Sequence, residues 1–169
     1  MRVISGYLKG RNILGYNTPG TRPTMDRVKE SMFASIQNYI ESSTALDLFS
    51  GTGSLGIEAI SMGANKCYFV DNGKEILKYL NKNIDNLNIK DKSIVINKDY
   101  KDSLKHFKDN NIKFNIILVD APYKMKVANE VIELISKYDL LYDNGLLVIE
   151  YSLDKLSDTY NNLKLIKAK

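Results

Sequence analysis

Four aspartates that close apolar segments (Asp47, Asp71, Asp99 and Asp120) and one glycine-rich stretch, Ser50-Gly51-Thr52-Gly53-Ser54-Leu55-Gly56, hold the residues best suited to chemistry. Gly51 and Gly53 allow a tight turn and close approach of a ligand to the backbone. A helix starting near Ser54 would offer free N–H groups and the positive end of its dipole to an anion. A glycine turn between a strand and a helix, with Asp71 twenty residues past Gly51, has the layout of a nucleotide-type cofactor site in which Asp71 accepts from the ribose hydroxyls. Asp47 narrows the choice of cofactor, because a carboxylate just before the turn repels a dinucleotide pyrophosphate and attracts an ammonium. S-adenosylmethionine carries that ammonium, its methionine carboxylate suits the helix N-terminus, and Asp99 can accept from the adenine amino group. The expected cofactor-binding set is therefore Asp47, Gly51, Gly53, Leu55, Asp71 and Asp99. Any one of these aspartates alone reads as a helix cap or a solvated turn; four at successive strand ends read as a site.

Val119-Asp120-Ala121-Pro122-Tyr123 supplies the catalytic part. An exocyclic nitrogen on a nucleobase is a poor nucleophile because its lone pair is delocalised into the ring. Acceptors for its hydrogens, the Asp120 carboxylate and a backbone carbonyl held by Pro122, favour the tetrahedral nitrogen that attacks a methyl group. Tyr123 can stack on a base taken out of its helix or loop. The competing explanation is a proline-ended strand with an incidental tyrosine.

These residues must be held by regular elements, and the pattern predicts them. Residues 2–16, punctuated by Gly6, Gly10 and Gly15, read as a short β-hairpin or arm, and 17–23 as a turn-rich linker. Thr24 can cap a helix whose apolar residues Val28, Met32, Phe33, Ile36 and Ile40 recur at helical spacing. Strands and helices then alternate: strands at 45–49, 68–71, 94–96, 114–119 and 146–150, helices at 54–62, 73–87, 101–110 and 126–138. Repeated β-α units predict a Rossmann-like, mostly parallel sheet with helices on both faces and right-handed crossovers, within a single domain spanning 1–169.

Charge is distributed unevenly. Residues 1–30 hold Arg2, Lys9, Arg11, Arg22, Arg27 and Lys29 against Asp26 and Glu30, a net +4, while the other 139 residues carry 18 basic and 18 acidic side chains. All four arginines lie in the first 27 positions, and the guanidinium fork suits phosphates while its plane stacks on bases. Arg2, Lys9, Arg11, Arg22 and Arg27 are the expected RNA-binding residues, although charge alone fits a solvated basic face equally well. The lone Cys67, in an apolar run, excludes an internal disulfide, and the lone His106, in a polar run, lacks partners at metal-ligand spacing, so no metal site is expected. Neither a signal peptide nor a membrane-length apolar segment is visible, which predicts a cytoplasmic protein without membrane association.

The chain resembles the bacterial 16S (small-subunit) ribosomal RNA guanine-N2 methyltransferases, within the class I S-adenosylmethionine-dependent superfamily. The resemblance runs from residue 1 to the end. It rests on Arg2-Val3-Ile4-Ser5-Gly6 with Lys9-Gly10-Arg11, on Thr21-Arg22-Pro23-Thr24 with Asp26-Arg27-Val28-Lys29-Glu30, and on the glycine motif followed by Leu55-Gly56-Ile57-Glu58-Ala59. It implies methyl transfer to guanine N2 in 16S rRNA, with the assembling small subunit as partner. It also implies catalytic roles for Asp120, Pro122 and Tyr123, and an N-terminal hairpin facing RNA. Two departures stand out. Ala121 replaces the first proline of the family's Asp-Pro-Pro-Tyr motif, which predicts retained geometry in a less rigid loop, and the final antiparallel strand into which the family continues beyond Leu163-Lys164-Leu165-Ile166-Lys167-Ala168-Lys169 is expected to be missing. Loss of that strand would leave unpaired backbone groups or draw the sixth strand inward, so a monomer with a tendency to edge-to-edge association is expected. Competing readings are an adenine-N6 or cytosine-N4 methyltransferase, a catalytically impaired RNA-binding assembly factor, and an NAD-dependent oxidoreductase that would leave Asp47 and the Asp-Ala-Pro-Tyr segment unexplained.

Overall fold

The structure is a computed structural model that describes residues 1–15, 23–122, 125–151, 156–157 and 159–167, the side chains of 23–25 excepted. Arg22, Tyr123 and the side chain of Thr24 therefore lie outside the described residues. The elements run α1 (Pro23–Ile36), β1 (Thr44–Leu48), α2 (Ser54–Ser61), β2 (Lys66–Asp71), α3 (Lys74–Asn86), β3 (Ser93–Asn97), α4 (Tyr100–Asp109), β4 (Phe114–Asp120), α5 (Ala128–Lys137), β5 (Leu141–Glu150), β6 (Thr159–Tyr160) and β7 (Leu163–Lys164). A 3-10 turn at Gln37–Tyr39 extends α1, and another lies at Lys90–Lys92.

β1 to β5 form one parallel sheet in the order β3-β2-β1-β4-β5, so the chain winds outward from β1 in both directions and the switch point lies between β1 and β4. The expected Rossmann-like class I arrangement is present. Alternating side chains explain the two layers of helices. Ala45, Cys67, Phe69, Ile116 and Leu118 point to one face, where they pack with Phe33 and Ile36 of α1, Ile57 and Ile60 of α2, and Leu77, Leu80 and Ile84 of α3. Leu46, Leu48, Val70, Ile117 and Val119 point to the other, against Leu104 and Phe107 of α4 and Val131 and Ile135 of α5.

The expected N-terminal hairpin is a narrow arm with one antiparallel bridge, Arg2 to Asn12. Val3, Leu8 and Ile13 anchor it in the core on the α2/α3 face. In α1 the helical stripe turns differently from the sequence expectation: Val28 is exposed, whereas Lys29 is 5% exposed. β5 begins five residues before the expected Leu146, because a register shift at Phe114/Ile116 lets Leu141 pair with Phe114.

Among the described residues no strand pairs with the outer side of β5. The chain instead forms the antiparallel hairpin β6-β7, separate from the main sheet. The Tyr160 hydroxyl donates to Asn129, and Ser136 Oγ of α5 donates to Asn162 Oδ1 at 2.6 Å.

Candidate cofactor and active site

β1 delivers Asp47 to the face covered by α2, where its side chain is 1% exposed and Oδ2 accepts the Gly56 N–H at 2.8 Å. Burial first, then the charges of Asp120 and Asp71, push its carboxyl from 3.8 up to about 8 against the pull of the Gly56 hydrogen bond. The two acids that act on Asp47 stand at the ends of β4 and β2, so three of the four expected aspartates converge on the mouth between β1 and its neighbours. A buried carboxyl that meets one backbone N–H donor among the described residues suits a small cation such as an ammonium.

The glycine loop between β1 and α2 is shaped from below. Phe49 opens it at φ 64°, a left-handed conformation uncommon for an aromatic residue. Gly53 caps α2 at φ 94°, and a Cβ there would lie 2.4 Å from Leu80 Cδ1, so any other residue would be strained in its backbone and would push the Leu80 methyl aside. Asp71 braces the loop: one oxygen accepts the Gly51 N–H and the other the Gly73 N–H, each at 2.9 Å. A carboxylate has about four acceptor positions, so two remain for ligand hydroxyls.

Asp99 stands apart from the other three acids. It is exposed and caps α4, accepting the Asp102 N–H at 2.8 Å, which is the cap that a single aspartate at a strand end ordinarily supplies. Leu55 lies half-buried in the first turn of α2.

Asp120 ends β4 in register with Glu150 of β5. Burial, followed by the Glu150 charge and a hydrogen bond between the two carboxyls, raises the Asp120 carboxyl from 3.8 to about 6. Glu150 was not anticipated, yet the rule that strand ends carry the chemistry applies to β5 as well. Pro122 follows at the surface, its carbonyl accepting the Met125 N–H at 2.9 Å.

A second group missed by the sequence reading lines the same edge. The Phe49 and Tyr100 rings sit 5.2 Å apart, and the Tyr100 hydroxyl donates to Glu130 of α5 at 2.8 Å. Burial and Glu130 together push the Tyr100 hydroxyl up to about 12, so it remains a donor. Lys101 pairs with the same carboxylate at 2.9 Å. Only the position of Tyr100 at the head of α4, just past the end of β3, could have signalled this.

Arg2, Lys9, Arg11 and Arg27 are all exposed, and Arg11 Nη2 donates to the Asn86 carbonyl at 3.0 Å. Lys29, counted in the same basic run, is buried and contributes nothing to an exposed basic face.

Known proteins are similar to this chain in sequence and in fold. The family described as conserved hypothetical protein 95 matches residues 1–169. Ribosomal RNA small subunit methyltransferase D of Haemophilus influenzae is 36% identical over 170 residues, covering 100% of this chain and 88% of that protein. The Escherichia coli protein of the same name is 29% identical over 154 residues, 91% of this chain and 76% of its own length. Among solved structures, an H. influenzae protein described as a methylase superposes with TM-score 0.80 at 33% identity, covering 99% of this chain and 90% of that one. An E. coli protein described as a methyltransferase gives TM-score 0.82 at 28% identity, covering 96% and 86%. The chain therefore belongs to the family described as conserved hypothetical protein 95, to which it is similar along its whole length in sequence and with whose methyltransferase relatives it shares the class I fold.

Proposed function

We propose that the chain transfers the methyl group of S-adenosylmethionine to the exocyclic N2 amine of a guanine in 16S rRNA. The observation that carries this reading is the convergence of Asp47, Asp71 and Asp120 around a glycine loop at the switch point of the sheet. The residues fit the cofactor by their chemistry. Buried Asp47 has no cationic partner among the described residues, Asp71 keeps acceptor positions for two hydroxyls, and the head of α2 suits a carboxylate. When bound, the cofactor supplies an electrophilic methyl on a sulfonium.

The chain's own residues then act on the nucleophile. The Asp120 carboxylate and the Ala121 carbonyl accept the two amine hydrogens, which withdraws the nitrogen lone pair from the ring and aims it across the cleft. Asp120, with its carboxyl raised to about 6, is ionised at neutral pH yet basic enough to take the proton that the amine must lose once the new N–C bond forms. Tyr123 stacks on the extruded base, and the exposed Arg2, Lys9, Arg11 and Arg27, with Arg22, hold the phosphate backbone. The relatives named for ribosomal RNA support an RNA substrate, which would place the protein in the cytoplasm with the assembling small subunit as partner.

Incubating the protein and radiolabelled S-adenosylmethionine with small subunits lacking the modification, then digesting the RNA for mass spectrometry, should yield N2-methylguanosine. N6-methyladenosine or N4-methylcytidine would reassign the base. RNA binding without transfer would support an assembly factor instead.

A further inference from the structure

The residues on either side of Gly53 are each tied, through a buried polar side chain, to one side of the N-terminal arm. On one side, Lys29 Nζ lies 3.0 Å from Ser54 Oγ, 3.1 Å from the Arg2 carbonyl and 3.3 Å from Glu58 Oε1, so its three N–H groups are all used. Glu58, 1% exposed, accepts the backbone N–H groups of Ile4 and Ser5 at 2.9 and 3.0 Å. On the other side, Asn83, also 1% exposed, takes the Leu14 N–H on Oδ1 at 2.7 Å and gives its two amide hydrogens to the Leu14 and Thr52 carbonyls, each at 3.0 Å. Every polar atom of these two buried hubs is therefore spent on joining the arm to the glycine loop.

Such hubs resist independent movement of what they join. Withdrawing one partner from a buried charge pair, or from a buried amide, leaves polar groups without water or protein partners. The arm cannot slide along α2 either, since a Cβ at Gly6 would lie 1.9 Å from the Ser61 carbonyl, the backbone there being in direct contact. A shift of the loop is thus felt at Arg2 and Leu14, and a shift of the arm at Thr52 and Ser54.

We propose that cofactor and RNA bind with positive coupling, transmitted by Lys29–Glu58 and Asn83 as positioning residues between the glycine loop and the arm. This rests on the proposed function, in which the loop holds the cofactor and the arm meets RNA. Coupling of this kind is reciprocal: whatever factor the cofactor gives to RNA affinity, RNA gives to cofactor affinity.

The experiment measures binding of 16S rRNA with and without saturating S-adenosylhomocysteine, the unreactive product, beside hydrogen exchange of the Ile4, Ser5 and Leu14 amides. RNA affinity should rise about fivefold or more with the product bound, and exchange at the three amides should slow. Glu58→Gln and Asn83→Asp should each cut the enhancement to about twofold or less. A wild-type protein whose RNA affinity and amide exchange ignore the product overturns the coupling, whatever the variants do. So do folded variants that keep the full enhancement. Failure of S-adenosylhomocysteine to bind at all removes the functional reading and the coupling together, whereas independent binding of both ligands removes only the coupling.

Discussion

Replacing Asp47 by asparagine should make the ligand-free protein more stable and its cofactor binding weaker. The carboxyl is raised from 3.8 in an open chain to about 8 in the fold. Each pKa unit corresponds to about 1.4 kcal/mol, so at pH 7 folding with this acid works against a cost of roughly 4 kcal/mol. Asparagine keeps an oxygen for the Gly56 N–H, and an unpartnered amide group returns about 1–3 kcal/mol of that gain, leaving a net stabilisation of ~2 kcal/mol. The sign with pH is fixed by linkage: the folded state holds the Asp47 proton at pH values where the unfolded state has lost it. The cost is therefore absent below about pH 4, grows as pH rises, and levels off above about pH 8. Denaturant unfolding of both proteins at pH 5, 6, 7 and 8 reads this directly as a widening difference. Calorimetry with S-adenosylmethionine should show weaker affinity in the variant, because the acid that can ionise against the ammonium is gone. A constant stability difference across that range, or a variant less stable than wild type at pH 8, would refute the assignment of Asp47 as a buried acid raised by desolvation.

Three further outcomes follow from the same geometry, and a fourth concerns the loop itself. Asp120→Ala should cut methyl transfer by about 10²-fold or more while cofactor affinity, measured separately, stays close to wild type; joint loss of both would place Asp120 in the cofactor pocket instead. Because Asp120 must be ionised to accept the amine hydrogens and its carboxyl sits at about 6, the transfer rate should climb with pH through that value. Glu150→Gln, which removes the neighbouring charge, should move the acidic limb to lower pH; a limb that stays put excludes Asp120 as its source. Neutralising Arg2, Lys9 and Arg11 together should weaken RNA binding and flatten its log–log salt dependence by about 2, at ~0.7 for each phosphate no longer neutralised, and an unchanged slope excludes these side chains as phosphate partners. Gly53→Ala meets both the left-handed φ and Leu80, so it should destabilise the fold by about 1–3 kcal/mol, read by denaturant unfolding.

Much of this molecule is written in local patterns. The glycine turn, the period-two and helical-period apolar runs, and the acids that close each strand are local signals, and they suffice to place the parallel sheet, the order of elements and the turn between the first strand and its helix. A strand-end aspartate could not declare its own role, because capping a helix and meeting a ligand require the same side chain at the same place. Asp99 caps α4 while Asp47 lies sealed beneath the loop. The register that sets Glu150 beside Asp120, with 29 residues between them, depends on how β4 and β5 pair. Burial of Lys29 in place of Val28 depends on where Glu58 and the arm converge, and helical spacing alone favours the apolar residue.

From the sequence by itself came what depends on neighbours within a few positions: which segments are strands or helices, where the chain turns tightly, and which residue types gather at the turns. Only the tertiary structure decided which of those residues share a low-dielectric environment. A charge's cost and use are set by groups far along the chain, as with the acids around Asp47 and the two hubs that bind the arm to the glycine loop.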